Sequence, residues 1–213
     1  MDKIDSIRQW LGTGSINVFG IQFAGKDTVG KQLAQVFGAE FIGSGDVMRA
    51  TFVDRTTATD QDVWRAAQVG SLSGSLMPTE EFKKMITERL SRADLDGESL
   101  VLSTIGRWIG EEGPVMDALN ASGHPTKAVL LLQISEEEAW RRWKIAHDTR
   151  NGGRHDDIDE ARVARRLAEF RDKTLPVIEI YRNMGILLEI NAEQDRDKVF
   201  ADVVDALYEF SRA

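Results

Sequence analysis

Residues 16–37 read Ile-Asn-Val-Phe-Gly-Ile-Gln-Phe-Ala-Gly-Lys-Asp-Thr-Val-Gly-Lys-Gln-Leu-Ala-Gln-Val-Phe. An apolar run enters a loop with the spacing Gly20-x-x-x-x-Gly25-Lys26-Asp27-Thr28 and leaves it into a helical pattern. Strand, glycine loop and helix in that order make a cradle for the phosphates of a nucleotide. Bare amides and the positive helix end face the anion, and the lysine neutralises its outer charges. Glycines let the backbone turn sharply and approach closely. Gly20, Ala24, Gly25, Lys26, Asp27 and Thr28 are therefore the first candidate site residues. The usual Ser or Thr directly after the lysine is Asp27, so the strict pattern fails at its last place.

A second cluster is basic. Arg141, Arg142, Arg150, Arg154, Arg162, Arg165, Arg166 and Arg171 crowd one stretch of a chain whose net charge is −8. The overall charge argues against a general nucleic-acid binder. Arginines gathered locally in an acidic protein point to a phosphate site. The interspersed Asp156, Asp157, Asp159, Glu160 and Glu169 would give helical ion pairs, and both readings hold, for different arginines. Without cysteine there are no disulfides or thiolate metal sites. His124, His147 and His155 are too scattered for zinc. No apolar run is long enough to span a bilayer. Residues 1–15 lack the apolar core of a signal peptide, and Ile4, Ile7 and Leu11 sit at helical spacing instead. Cytoplasmic residence is the default expectation.

These residues need elements to hold them. The length of 213 residues suits one α/β domain with a small insertion. Apolar runs at Ile16–Phe19, Glu40–Ile42, Leu100–Ser103, Lys127–Ile134 and Ile186–Ile190 predict strands. Helical patterns separate them, at 26–37, 45–54, 60–69, 79–92, 111–122, 135–147, 159–173, 177–184 and 194–211. The alternation predicts a parallel sheet covered on both faces. Ser135 and Glu138 have the spacing of a capping box, and Pro176 is expected to interrupt a helix. Residues 44–77 and the polar, glycine-bearing loop 147–155 are excursions from the sheet; loops of the latter composition open and close over sites.

Further segments follow in order: Gly43-Ser44-Gly45-Asp46-Val47-Met48-Arg49, Leu76-Met77-Pro78-Thr79-Glu80, Arg154-His155-Asp156-Asp157, Arg166-Leu167 and Gly185–Glu193. With the loop, they make the chain from Ile16 onward resemble the adenylate kinase family of nucleoside monophosphate kinases. The resemblance implies a three-layer α/β/α P-loop NTPase fold, a five-stranded parallel sheet with helices on both faces. It also implies a core of 16–43, 78–146 and 155–213, a monophosphate-binding insertion at 44–77 and a short lid at 147–154. It implies ATP as phosphoryl donor on Gly20, Gly25, Lys26 and Thr28, with Arg142 and Gln194 at its adenine. Ser44, Arg49, Met77 and Arg107 would meet the acceptor, and Arg154 and Arg166 would clamp the moving phosphoryl group. Lysine, arginine and Mg²⁺ suit that chemistry, which needs alignment and charge neutralisation more than a base. The family's short-lid members imply a monomer.

Three places depart from the family. Ser103-Thr104-Ile105-Gly106-Arg107 keeps the arginine but has Ser103 where an aspartate organises Mg²⁺. Asp27 is then expected to hold the metal, directly or through water. Glu111 stands where a glutamine reads the acceptor base; AMP is the implied acceptor, but a carboxylate only accepts hydrogen bonds, which keeps GMP and CMP open. Ala146 replaces a lid arginine, and Arg150 is its candidate substitute. Trp108, beside Arg107, is the tryptophan expected to touch a ligand. A kinase of another small anion and a nucleotide-binding regulator with decayed catalysis are the competing readings.

Overall fold

The computed structural model describes residues 2–53, 60–73, 77–149 and 159–213. One parallel sheet is made of β1 (Ser15–Gly20), β2 (Glu40–Gly43), β3 (Leu100–Ser103), β4 (Thr126–Gln133) and β5 (Leu187–Asn191). Their spatial order is β2-β3-β1-β4-β5, so the strand that enters the glycine loop is central. Val18 of β1 pairs with Ser103 of β3 on one side and Leu130 of β4 on the other. The loops leaving β1 and β3 therefore emerge together at the carboxyl edge.

Strand residues alternate between two cores, as the two-residue period of a strand requires. Ile16, Val18, Val101, Ala128, Leu130 and Leu132 pack with α1 (Lys3–Leu11), α2 (Lys26–Phe37), α8 (Glu160–Glu169) and α10 (Arg196–Phe210). Their neighbours turn to the other face. There Leu100 and Leu102 meet α5 (Thr79–Leu90) and α6 (Glu112–Ala121), while Phe19, Val129 and Leu131 meet α9 (Leu175–Asn183). This is the expected three-layer α/β/α P-loop architecture, and burial on both faces is why the strands read as continuous apolar runs. α3 (Ser44–Val53) and α4 (Gln61–Ser73) pack on α5 through Val47, Val63, Ala67 and Phe82.

Local signals fix the ends. α2 stops at Gly38, whose left-handed φ of 69° lets its N–H reach the Ala34 carbonyl. Asp159 and Asp195 cap α8 and α10, accepting from Arg162 N–H and Lys198 N–H. Two expectations need correction. The Ser135 hydroxyl accepts from Glu138 N–H at 3.1 Å, but the Glu138 carboxylate does not return to Ser135. Instead Glu193, from beyond β5, accepts from Ser135 N–H at 2.6 Å, while Glu138 binds two arginines of α7 (Glu136–Thr149). Nor does Pro176 break its helix. A π-helical turn, Phe170–Thr174, joins α8 to α9, with Leu175 N–H donating to the Phe170 carbonyl. The wider turn accommodates a proline that cannot donate to residue 172.

Candidate active site

Gly20 leaves β1 with its Cα pressed against β4; a Cβ there would lie 2.7 Å from the Leu132 carbonyl oxygen. Only glycine fits. Gly25 precedes α2 with φ 93°, again a glycine conformation. Phe23, between them, holds φ 65°, uncommon for a bulky residue. Its carbonyl accepts from Arg142 Nη1 at 3.3 Å, and Arg142 Nη2 donates to the Ala192 carbonyl at 2.6 Å. Arg142 thereby ties the glycine loop, α7 and the exit of β5 together.

Lys26 Nζ donates to the Ile21 carbonyl at 3.0 Å, which curls the ammonium over the loop. Ser103, at the end of β3, donates its hydroxyl to Asp27 Oδ1 at 2.8 Å. The chain then turns back over β1. Thr104 has φ 56° and donates its N–H to the Val18 carbonyl at 3.0 Å. Buried Asn17 grips the next residue from both sides: its amide donates to the Ile105 carbonyl at 2.7 Å and accepts from Ile105 N–H at 3.3 Å. That clamp brings Arg107 to the cleft wall.

The cleft has a volume of about 780 Å³. Its walls bring together Gly20, Ala24, Gly25, Lys26, Asp27, Thr28, Ser44, Arg49, Met77, Arg107, Arg142, Arg166 and Gln194, from seven separate stretches of sequence. Seven cationic side chains line it against four carboxylates, in a chain of net charge −8. Burial, and then the neighbouring Arg166, pull the Arg107 guanidinium down to about 10, so it stays charged at neutral pH. Two cations held so close favour an anion between them. The Gln22 amide, turned with its oxygen to Arg166, accepts from Nε and Nη2 at 3.2 Å each. Arg49 Nη2 donates to Asp46 at 2.5 Å, and Gln194 Nε2 donates to the Asn191 carbonyl and to Asp202.

Glu111 is elsewhere. It is 2 % exposed, and its carboxylate accepts from Arg107 N–H at 3.1 Å and Trp108 N–H at 3.2 Å. Burial raises its pKa against the pull of those bonds and of Arg107. The spacing that suggested a base reader puts the side chain back onto its own loop at the start of α6 instead. Trp108 is also corrected: it does not line the cleft, and Lys173 Nζ lies 4.0 Å from its ring centroid. Trp143 lines the cleft in its place. Arg154 and Arg150 lie outside the described residues, as do 150–154 of the expected lid. Gln22, Phe23 and Thr174 line the cleft without having been singled out. The first two sit in the variable positions of the glycine loop, where residue type carries no signal.

Among the described residues no group of three or more His, Asp or Glu could hold a metal unaided. A Mg²⁺ held chiefly by nucleotide phosphates and water needs only one or two carboxylates, and Asp27 beside the Ser103 hydroxyl fits that donor set. No helix among the described residues is long and apolar enough to cross a membrane.

Comparison with known proteins agrees with this arrangement. Residues 19–163 match the family model of an AAA domain. The chain is 31% identical over 184 residues to the adenylate kinase of Mycolicibacterium smegmatis, covering 86% of this chain and 93% of that protein. It is 27% identical over 190 residues to the adenylate kinase of Kocuria rhizophila, covering 89% and 96%. With the adenylate kinase of Methanosarcina barkeri it shares 26% over 220 residues, covering 92% and 100%. The chain belongs to the adenylate kinase family and is a phosphotransferase of that kind.

Proposed function

We propose that this member of the adenylate kinase family transfers the γ-phosphoryl group of ATP to AMP, giving two ADP, with Mg²⁺ bound to the donor phosphates. The observation that carries the reading is the convergence of Lys26, Arg107 and Arg166 on one cleft with the glycine loop. Donor phosphates sit on the loop amides, Lys26 and Thr28, with Arg142 and Gln194 on the adenine side. The acceptor phosphate sits on Arg107 and Arg49, its base toward Met77, with Ser44 at the start of the insertion 44–77. Arg166, joined by Arg154 from the lid 147–154, neutralises the group in flight. Asp27, with Ser103 beside it, would hold the metal, which draws charge off the phosphate oxygens when bound. AMP is favoured by the family likeness, and Glu111 commits its carboxylate to the loop backbone. The carboxylate that kept GMP and CMP open is not among the residues lining the cleft. A monomer is expected from the likeness to the family's short-lid members.

The test supplies ATP and Mg²⁺ with AMP, GMP, CMP or UMP and follows ADP formation. Turnover fastest with AMP is expected. Tight ATP binding without turnover on any of the four would overturn the reading in favour of a regulator, and activity only on another metabolite would reassign the acceptor.

A further inference from the structure

We infer that Thr174 is a substrate-contacting residue, its hydroxyl donating a hydrogen bond to the acceptor phosphate held between Arg107 and Arg166. The inference rests on the function proposed above and adds a residue to its site.

The side chain is in an unusual state. Thr174 is 2 % exposed, yet it lines the cleft. It occupies the N-cap position of α9 without making a capping bond, and it makes no side-chain hydrogen bond among the described residues. Buried hydroxyls almost always have a partner. This one is not among the fully enclosed unpartnered atoms, so it keeps a little surface, in a residue that lines the cleft.

Its position follows from the π-turn. Arg166, Glu169 and Phe170 line the cleft from one side of α8 and its continuation. In an unbroken α-helix, a residue eight places after Arg166 would be rotated about 80° from it. One extra residue in the turn takes back about 100°, leaving Thr174 within roughly 20° of the Arg166 direction. The turn that accommodates Pro176 thus returns Thr174 to the phosphate-facing side.

The turn is also fastened to the acceptor side. Lys173, the preceding residue, places Nζ 4.0 Å from the Trp108 ring centroid, and Trp108 follows Arg107 directly. Thr174 thereby lines the same cleft as both guanidinium groups. A hydroxyl there gives a phosphate oxygen a directional donor without adding to the repulsion that already bears on Arg107.

The experiment compares wild type with Thr174→Val, Thr174→Ala and Thr174→Ser. It measures kcat, the KM for ATP, the KM for AMP and the melting temperature of each. Val keeps the shape and loses the hydroxyl; Ala loses both; Ser keeps the hydroxyl. Val and Ala should each lower kcat/KM for AMP about tenfold or more, with the KM for ATP within about twofold, and Ser should stay within about threefold of wild type. Wild-type kinetics in Val or Ala, or a Ser variant as impaired as Val, would overturn the inference and leave the side chain a packing role. Absence of turnover in wild type would instead take down the functional reading, and this inference with it.

Discussion

At the scale of single residues, the exchange between Asp27 and Ser103 says most about how the site was rebuilt. The resemblance places an aspartate at the end of β3, and phosphate loops place a hydroxyl after the lysine. This chain has the hydroxyl at the strand end and the carboxylate on the loop, joined at 2.8 Å. The pair survives with its members reversed, so one carboxylate still lines the cleft beside the glycine loop. Asp27→Ala should raise the Mg²⁺ concentration that half-saturates turnover about tenfold, with Asp27→Asn in between; an unchanged Mg²⁺ requirement in a titration would remove Asp27 from the metal. Asp27 and Ser103 were both legible as departures from a pattern. Their contact was not, because it joins positions 76 residues apart. Glu111 shows the converse. Its spacing from Arg107 was readable, but the direction of its side chain depended on two backbone amides that only the folded loop presents.

At the scale of elements, α7 acts as a strut. Glu138 holds Arg141 with paired bonds of 2.6 and 2.7 Å and Arg142 with one of 2.6 Å, and Arg142 in turn grips the glycine loop and the exit of β5. Hydrogen bonds from Arg141, and then Arg142, hold the Glu138 carboxyl down from its ordinary 4.5 to about 2. A carboxyl with a lowered folded-state pKa stabilises the fold above its unfolded value and loses that contribution as pH falls through the folded one. Glu138→Gln should therefore melt below wild type at pH 7, and the difference should close between about pH 4.5 and about pH 2. A melting gap that stays constant over that window would mean the side chain acts by shape alone. All five strands were legible to within a residue or so at either end, most plainly β1, β3 and β4, whose burial on both faces leaves an apolar run. The π-turn was not. Pro176 announces a helix in difficulty, and the sequence does not say whether the helix will break or widen.

At the scale of the molecule, the cleft opens where the carboxyl ends of β1 and β3 meet. Parallel α/β sheets bind ligands at that edge, where the loops from neighbouring strands part. An acidic chain concentrates its cations there, which draws in polyanions while leaving the remaining surface unattractive to them. The central claim is that two nucleotides meet head to head in that one cleft. A crystal structure of the chain with AMP, Mg²⁺ and a non-hydrolysable ATP analogue tests it most directly. The account predicts donor phosphates on the Gly20–Thr28 amides and Lys26, and the AMP phosphate on Arg107 with Arg166 between the two. An AMP bound away from Arg107, or a single nucleotide whose phosphates occupy Lys26 and Arg107 together, would contradict it.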